Sequence, residues 1–329
     1  MYNRSKAVHL GITANLAFAA GCLLQALHRH SPNLDADILL YTDGLLPEAD
    51  AALLRDLGAT LISYTPPELA LPPESIRVFS HMCLAKLEGF RLLERYETVI
   101  WLDVDTAIQG DIGALTTYGP YALALEDPHF TEAGVTSSAS INVSQPCEGL
   151  NGDKPNYNSG IMVLQKSLGD AQHLYHSALV WAERHAPYLK YPDQAVCNML
   201  LQQCEREAPS SFTTLPYAIF NAHPRNPAAQ RAAIVHAFGA YKLWDDGLTR
   251  CSFPEWERDY FRWLAKGGTP WQGAVDNEAF LDGGAFFMLT RLFTAASSAE
   301  TMLDTLQEEL AKERLLRARL EKIIATHTR

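Results

Sequence analysis

Thr98-Val99-Ile100-Trp101-Leu102-Asp103-Val104-Asp105-Thr106-Ala107-Ile108-Gln109-Gly110-Asp111-Ile112 is the stretch around which the chain is organised. Val99 to Leu102 present apolar side chains to both alternating faces, which suits a strand buried on both sides in a mostly parallel sheet. The run then reaches two carboxylates, Asp103 and Asp105. On a strand, the i to i+2 spacing aims both the same way. A bare carboxylate pair at the end of a buried strand is costly unless a positive charge lies between them. A divalent cation with oxygen ligands, carrying a substrate diphosphate, would supply that charge. The pattern is short, and two acids solvating themselves at a strand-to-loop boundary would read the same.

The flanking segments extend the strand into a sheet. Residues 7–12, 37–41 and 59–63 read as strands, and residues 16–30 and 47–57 as the helices between them. Pro47 sits near the start of the second helix, where its missing N–H costs nothing. Strands alternating with helices of this length argue for βαβ units and an α/β, doubly wound, mostly parallel sheet with helices on both faces. Ligands of such sheets bind outside the carboxyl ends of the strands, where Thr13, Asn15 and Asp103 would sit. Residues 80–96 read as a helix that carries Lys86, and 121–125 as a further strand.

Residues 127–156 are polar, rich in Ser, Thr, Gly, Asn and Pro, and long enough to suggest a mobile lid or a surface insertion. Asn158-Ser159-Gly160 opens an apolar strand at 161–164, and 168–184 is helical. Tyr191-Pro192-Asp193-Gln194 begins a helix, so Asp193 stands where a carboxylate can cap. Ile234-Val235-His236 is a short apolar stub that delivers a histidine into a glycine-containing loop. A lone histidine of this kind is more often packed or capping; beside a metal it becomes a good nitrogen ligand.

Composition bounds the rest. The chain has 329 residues, 47% hydrophobic and 20% charged, with a formal net charge of -11. That balance disfavours a nucleic-acid binder, and an anionic substrate would need a metal or a few placed cations against this field. Cys22, Cys83, Cys147, Cys197, Cys204 and Cys251 form no Cys-x-x-Cys pair, so reduced thiols are expected. No apolar run has transmembrane length and the amino terminus lacks a signal-peptide core. A cytoplasmic protein is expected, with peripheral contact at the inner face of a membrane as a variant.

The carboxyl-terminal part reads differently. Residues 253–293 are aromatic-rich (Trp256, Tyr260, Phe261, Trp263, Trp271, Phe280, Phe286, Phe287), as in a small helical subdomain packed on the sheet or a surface resting on a membrane interface. Glu300 to Thr326 reads as one amphipathic helix, with Leu303, Leu306, Leu310, Leu316, Leu320 and Ile323 on one side. Its acidic start and basic end complement the helix dipole. Its apolar stripe is expected to self-associate as a short coiled coil, which makes a homo-oligomer, or else to dock on anionic lipid. The expected division is 1–252, 253–296 and 297–329.

Four separated elements now stand in one order: Leu102-Asp103-Val104-Asp105, Asn158-Ser159-Gly160, Asp193-Gln194, and His236-x-x-Gly239-x-x-Lys242-x-Trp244. Together they resemble glycosyltransferase family 8, the retaining GT-A-fold group that includes glycogenin and bacterial lipooligosaccharide galactosyltransferases. The resemblance spans roughly residues 7–245. It implies that Asp103, Asp105 and His236 hold Mn2+ (or Mg2+), and that the donor is a nucleotide-diphospho-sugar. It further implies that Lys242 and the Gly239 backbone meet the phosphates and that Lys86 lies near the donor. Asn158 and Asp193 would bind the donor sugar, with Gln194 beside the anomeric carbon opposite the leaving group. The acceptor implied is a glycan or glycolipid, and the implied course is a front-face displacement in which the leaving phosphate helps deprotonate the acceptor hydroxyl. The first loop departs from the family: Thr13-Ala14-Asn15-Leu16-Ala17-Phe18 has neither the usual Asp nor the usual Tyr. UDP is the donor base most in keeping with the resemblance, and GDP stays open. Leu243 replaces the usual Pro before Trp244.

Two other classes fit parts of the pattern. Haloacid-dehalogenase-type phosphatases also place Asp-x-Asp after an apolar strand, with the first Asp as nucleophile and magnesium assisting. Here position 107 is Ala instead of Thr or Val, and the motif does not open the chain. A non-catalytic sugar-nucleotide-binding assembly protein would keep the fold and act through the terminal helix, which the complete ligand set argues against.

Overall fold

The apolar runs form a seven-stranded sheet in the computed structural model of the chain, which describes residues 4–126, 135–142, 147–239, 242–245 and 252–273. The strands are β1 (Lys6–Ile12), β2 (Asp37–Thr42), β3 (Ala59–Ser63), β4 (Thr98–Leu102), β6 (Tyr121–Leu125), β7 (Tyr157–Gln165) and β8 (Phe212–Leu215). They lie in the order β3-β2-β1-β4-β7-β6-β8. All neighbours pair in parallel except β7, which runs antiparallel to both β4 and β6. Two short strands, β5 (Thr106–Ile108) and β9 (Ile234–His236), pair antiparallel beside the main sheet.

Alternation along the strands splits the core in two. Ile38, Leu40, Ile100 and Leu102 join the layer under α1 (Ala17–His30), whereas Leu39, Tyr41, Val99 and Trp101 join the opposite layer. That second layer also holds residues of α4 (Glu88–Leu92), α5 (Ala171–His185) and α6 (Pro192–Glu207). A strand with apolar side chains on both faces has to be covered on both, and this sheet is. The last described helix, Pro254–Ala265, packs on α1. Trp263 fills the space over Gly21, where a Cβ would lie 2.3 Å from the indole ring. Arg29 donates to both carboxylate oxygens of buried Asp259 at 2.7 Å each. Trp256, Tyr260 and Trp263 are thus core residues, whereas Phe261 is exposed. Phe280, Phe286, Phe287 and the amphipathic segment 300–326 lie outside the described residues. Among those described, no helix is long and apolar enough to cross a membrane.

The expected mostly parallel sheet is found, with β7 as its one antiparallel strand. Other expectations are corrected. Residues 80–96 are no single helix. A helix, α3 (Pro73–Phe79), ends at Ser80 with φ at 49°, and a 3-10 segment, His81–Leu87, precedes α4. Asn158, Ser159 and Gly160 lie within β7 and do not precede it. Within the described parts of 127–156, Asn156 N–H donates to Val135 O at 2.9 Å and Ser137 N–H to Lys154 O at 2.8 Å.

One core residue gives the fold a pH signature. His9 on β1 is fully buried edge-on against Trp101, with ring centroids 4.8 Å apart. Among the described residues neither of its ring nitrogens has a hydrogen-bond partner. Burial, and then the charge of Lys86, push its imidazole down from 6.5 to about 3. Between those values the unfolded chain takes up a proton that the folded chain refuses, so stability falls with falling pH by about 1.4 kcal/mol per unit. Between pH 7 and pH 5 the wild type should therefore lose about 2 kcal/mol more than His9→Leu in urea denaturation. Parallel pH profiles for the two proteins would refute this.

Candidate active site

The reversal of β7 builds the site. Because β7 runs against β4, its first residues lie beside the end of β4: Leu102 pairs with Ile161, and Asp103 N–H donates to Gly160 O at 2.8 Å. Asp103 and Asp105 stand in the turn between β4 and β5, not on the strand itself. Thr106 Oγ1 closes that turn by donating to Asp103 O at 2.7 Å. Register then delivers the histidine. Thr106 pairs with His236 across β5 and β9, and Ala237 N–H donates to Asp105 O at 2.9 Å.

One ligand atom from each of Asp103, Asp105 and His236 can be chosen so that all lie within 4.8 Å of one another. His236 Nε2 is 3.1 Å from an Asp105 oxygen and 3.6 Å from an Asp103 oxygen. Asn221 Oδ1 stands 2.9 Å from Nδ1; accepting there, it leaves the Nε2 lone pair facing the two carboxylates. Three electron-pair donors this close together fit a divalent cation, and an oxygen–oxygen–nitrogen set suits manganese. The Asp103 carboxyl is pushed up, by burial first and by Asp105, against the pull of Lys86. The Asp105 carboxyl is held low: against burial, Lys242 and His236 prevail.

Gly160 makes room for this histidine. A Cβ there would lie 1.9 Å from His236 Cε1. Gly160→Ala must push a fully packed ring aside, and overpacking of this kind costs about 1–3 kcal/mol. Urea denaturation should show that loss, and a variant within about 0.5 kcal/mol of wild type would show that the ring does not need this space.

Around the triad, the other expected residues join one network. Lys86 is 1% exposed; its Nζ donates to Asp193 Oδ2 at 2.5 Å and Ser159 Oγ at 2.9 Å, and lies 3.3 Å from Asp103 Oδ1. Ser159 Oγ in turn donates to Asp193 Oδ2 at 3.0 Å. Asp193 therefore does not cap α6, whose N-cap residue, Tyr191, makes no side-chain cap bond. Its carboxylate is turned to Lys86. Gln194 Oε1 accepts from Asn158 Nδ2 at 3.3 Å. Lys242 Nζ donates to Asp105 Oδ2 and, at 3.0 Å, to Ala237 O. Gly239 has φ of +75°, a left-handed backbone that glycine adopts without strain, and nothing stands within 4 Å of where a Cβ would be. Thr13 and Asn15 bond each other at 2.5 Å on the exposed loop after β1, and no hydrogen bond found among the described residues links them to the network.

Five participants escaped the sequence reading. Trp101 Nε1 donates to Asp103 Oδ1 at 2.6 Å, Asn221 orients His236, and Ser159 bridges Lys86 and Asp193. Glu126 and Ser140 both accept from Gln194 Nε2, at 3.2 Å each. Ser159 lay inside a quoted motif and Trp101 beside one. The others have no local signal.

The family model described as Glycosyl transferase family 8 matches residues 7–247. Among solved structures, the bifunctional glycosyltransferase WbbM in its apo form gives a TM-score of 0.59 at 15% identity, covering 80% of this chain and 52% of that one. The present chain thus spans about half of WbbM. The galactosyltransferase LgtC in complex with donor and acceptor sugar analogs gives 0.59 at 16% identity, over 79% of this chain and 99% of that one. Apo GlyE from Streptococcus pneumoniae gives 0.50 at 15% identity, over 80% and 64%. At such identities the likeness is one of fold. No curated protein matches by sequence.

Proposed function

The chain belongs to glycosyltransferase family 8, and we propose that it moves a hexose, with retention of configuration, from a nucleotide-diphospho-sugar to a glycan or glycolipid acceptor. It is a glycosyltransferase with the GT-A fold, which sets aside the phosphatase reading. UDP is the donor base we favour. The observation that carries the proposal is the convergence of Asp103, Asp105 and His236, whose chosen ligand atoms all lie within 4.8 Å.

These three residues would hold Mn2+ or Mg2+. When bound, the ion would neutralise the donor diphosphate and stabilise it as a leaving group. Lys242, now held by Asp105, carries a cation on a flexible stem that a diphosphate would attract. Gly239 leaves the neighbouring backbone uncovered for close approach. Asp193 and Asn158 offer acceptor and donor groups to sugar hydroxyls, each braced by the network behind it. Gln194 would present its amide oxygen to the anomeric carbon, where positive charge develops as the leaving group departs. Thr13 and Asn15, at the carboxyl end of β1, would meet the nucleoside.

Thermal and chemical unfolding with manganese and a panel of UDP-, GDP- and CMP-sugars tests the proposal. A ligand at a hundred times its dissociation constant adds about 2.7 kcal/mol. A shift that requires manganese and one nucleotide class is expected, with UDP the favoured class. No shift with any sugar nucleotide would overturn the reading.

A further inference from the structure

We infer that Glu126 is a positioning residue that fixes the Gln194 amide with its oxygen, not its nitrogen, toward the reacting face of the donor sugar. The inference rests on the place proposed above for Gln194.

An amide side chain can be turned end for end at little cost unless its partners forbid it. Here both ends of the chain of bonds are fixed by groups with only one possible role. At one end, Gly160 N–H can only donate, and it donates to Asn158 Oδ1 at 3.0 Å. Asn158 must then present Nδ2 to Gln194, so the Gln194 atom 3.3 Å away is Oε1. At the other end stands the Glu126 carboxyl, which burial pushes up while the N–H groups of Asn156 and Gln194 favour its charged form; ionised, it can only accept. Glu126 Oε2 takes N–H bonds from Asn156 Nδ2 and from Gln194 Nε2. Ser140 closes the circuit. Its hydroxyl donates to Asn156 Oδ1 at 3.1 Å, so its lone pair receives Gln194 Nε2 at 3.2 Å. Ser140, Asn156, Asn158 and Gln194 are all buried, so no water competes for these places.

The consequence is electrostatic. A Gln194 turned end for end would aim its N–H groups, the positive end of the dipole, where the donor sugar gains positive charge. Asn158 alone does not hold the oxygen in place, because one neutral bond at 3.3 Å is a weak restraint. Glu126 makes the reversed amide unfavourable, since the oxygen would then face a carboxylate in a buried setting. The glutamate lies at the end of β6, far in sequence from the signature elements.

The test uses full-length protein with manganese and UDP-galactose, or the sugar nucleotide selected by the stability panel, following UDP release to water. Glu126→Leu removes the accepting group. It should lower kcat about 10- to 100-fold while donor KM and the affinity for UDP stay within about twofold. Glu126→Gln keeps an accepting oxygen at the same place and should recover most of the lost kcat. A Glu126→Leu enzyme with wild-type kcat would overturn the inference, as would loss confined to KM. Equal loss in Glu126→Gln and Glu126→Leu would also overturn it, because Glu126 would then be acting through its charge. Should the wild type itself release no UDP from any sugar nucleotide, the proposed function fails first and takes this inference with it.

Discussion

Asp105→Asn is expected to lower manganese-dependent sugar transfer by about a thousandfold, roughly 4 kcal/mol of transition-state stabilisation. The substitution preserves shape and removes one negative charge from a set of only three ligand groups. Asp105 faces His236 Nε2 at 3.1 Å and accepts from Lys242, and these two hold its carboxyl low against burial. An amide in its place would offer one neutral oxygen to the cation. If turned the other way it would offer N–H groups, which repel a cation. The same change should abolish the manganese-dependent part of the stability shift with the sugar nucleotide, so that a binding measurement and a rate measurement agree. Kinetics at saturating manganese, beside urea denaturation without metal, separate loss of the site from loss of the fold. Activity within tenfold of wild type would mean that the three residues do not form the metal centre.

The reach of sequence reading differs between fold and site for physical reasons. The βα alternation was legible because apolar runs such as Val99–Leu102 and their amphipathic neighbours carry it locally, and β1 to β4 fall where the runs predict. The antiparallel course of β7 was not, since Ile161–Leu164 would be equally apolar in either direction. That one reversal is what brings Asn158, Ser159 and Gly160 to Asp103. Residues with charged or ligating side chains in a motif, Asp103, Asp105, His236 and Lys242, were readable because their chemistry requires those types. Residues that hold them were not. Asn221 acts through a bond to a side chain fifteen positions away, and Glu126 through one 68 positions away. Both are ordinary polar residues until the chain folds. Gly160 falls between the cases: the sequence marked it, and only the His236 ring against it explains why no larger residue fits.

The two lysines at the centre of the network should respond differently to the same substitution. Lys86 is 1% exposed and bridges Asp193 and Asp103, whose side chains are 10% and 29% exposed. Lys86→Met would leave two carboxylates around an apolar stem, and breaking a buried pair from one side costs about 3–5 kcal/mol. That loss should be seen in urea denaturation without any ligand. Lys242 is 26% exposed and meets Asp105. Water can reach its head, but Asp105 is only 13% exposed, so Lys242→Met should cost about 1–3 kcal/mol of stability, less than Lys86→Met. Its effect belongs to the donor. Calorimetric titration of UDP in the presence of manganese should show affinity reduced about 10- to 100-fold, the contribution of one charge-assisted contact to a phosphate. Manganese alone should bind Lys242→Met no more weakly than wild type, because a cation that competes for Asp105 has been removed. Lys86→Met within 1 kcal/mol of wild type would show that the buried carboxylates find another counter-charge. Unchanged UDP affinity in Lys242→Met would show that this lysine stays on Asp105 when the diphosphate arrives. The distinction follows from exposure: of two cations in one acidic cluster, the buried one serves the fold and the accessible one can be exchanged.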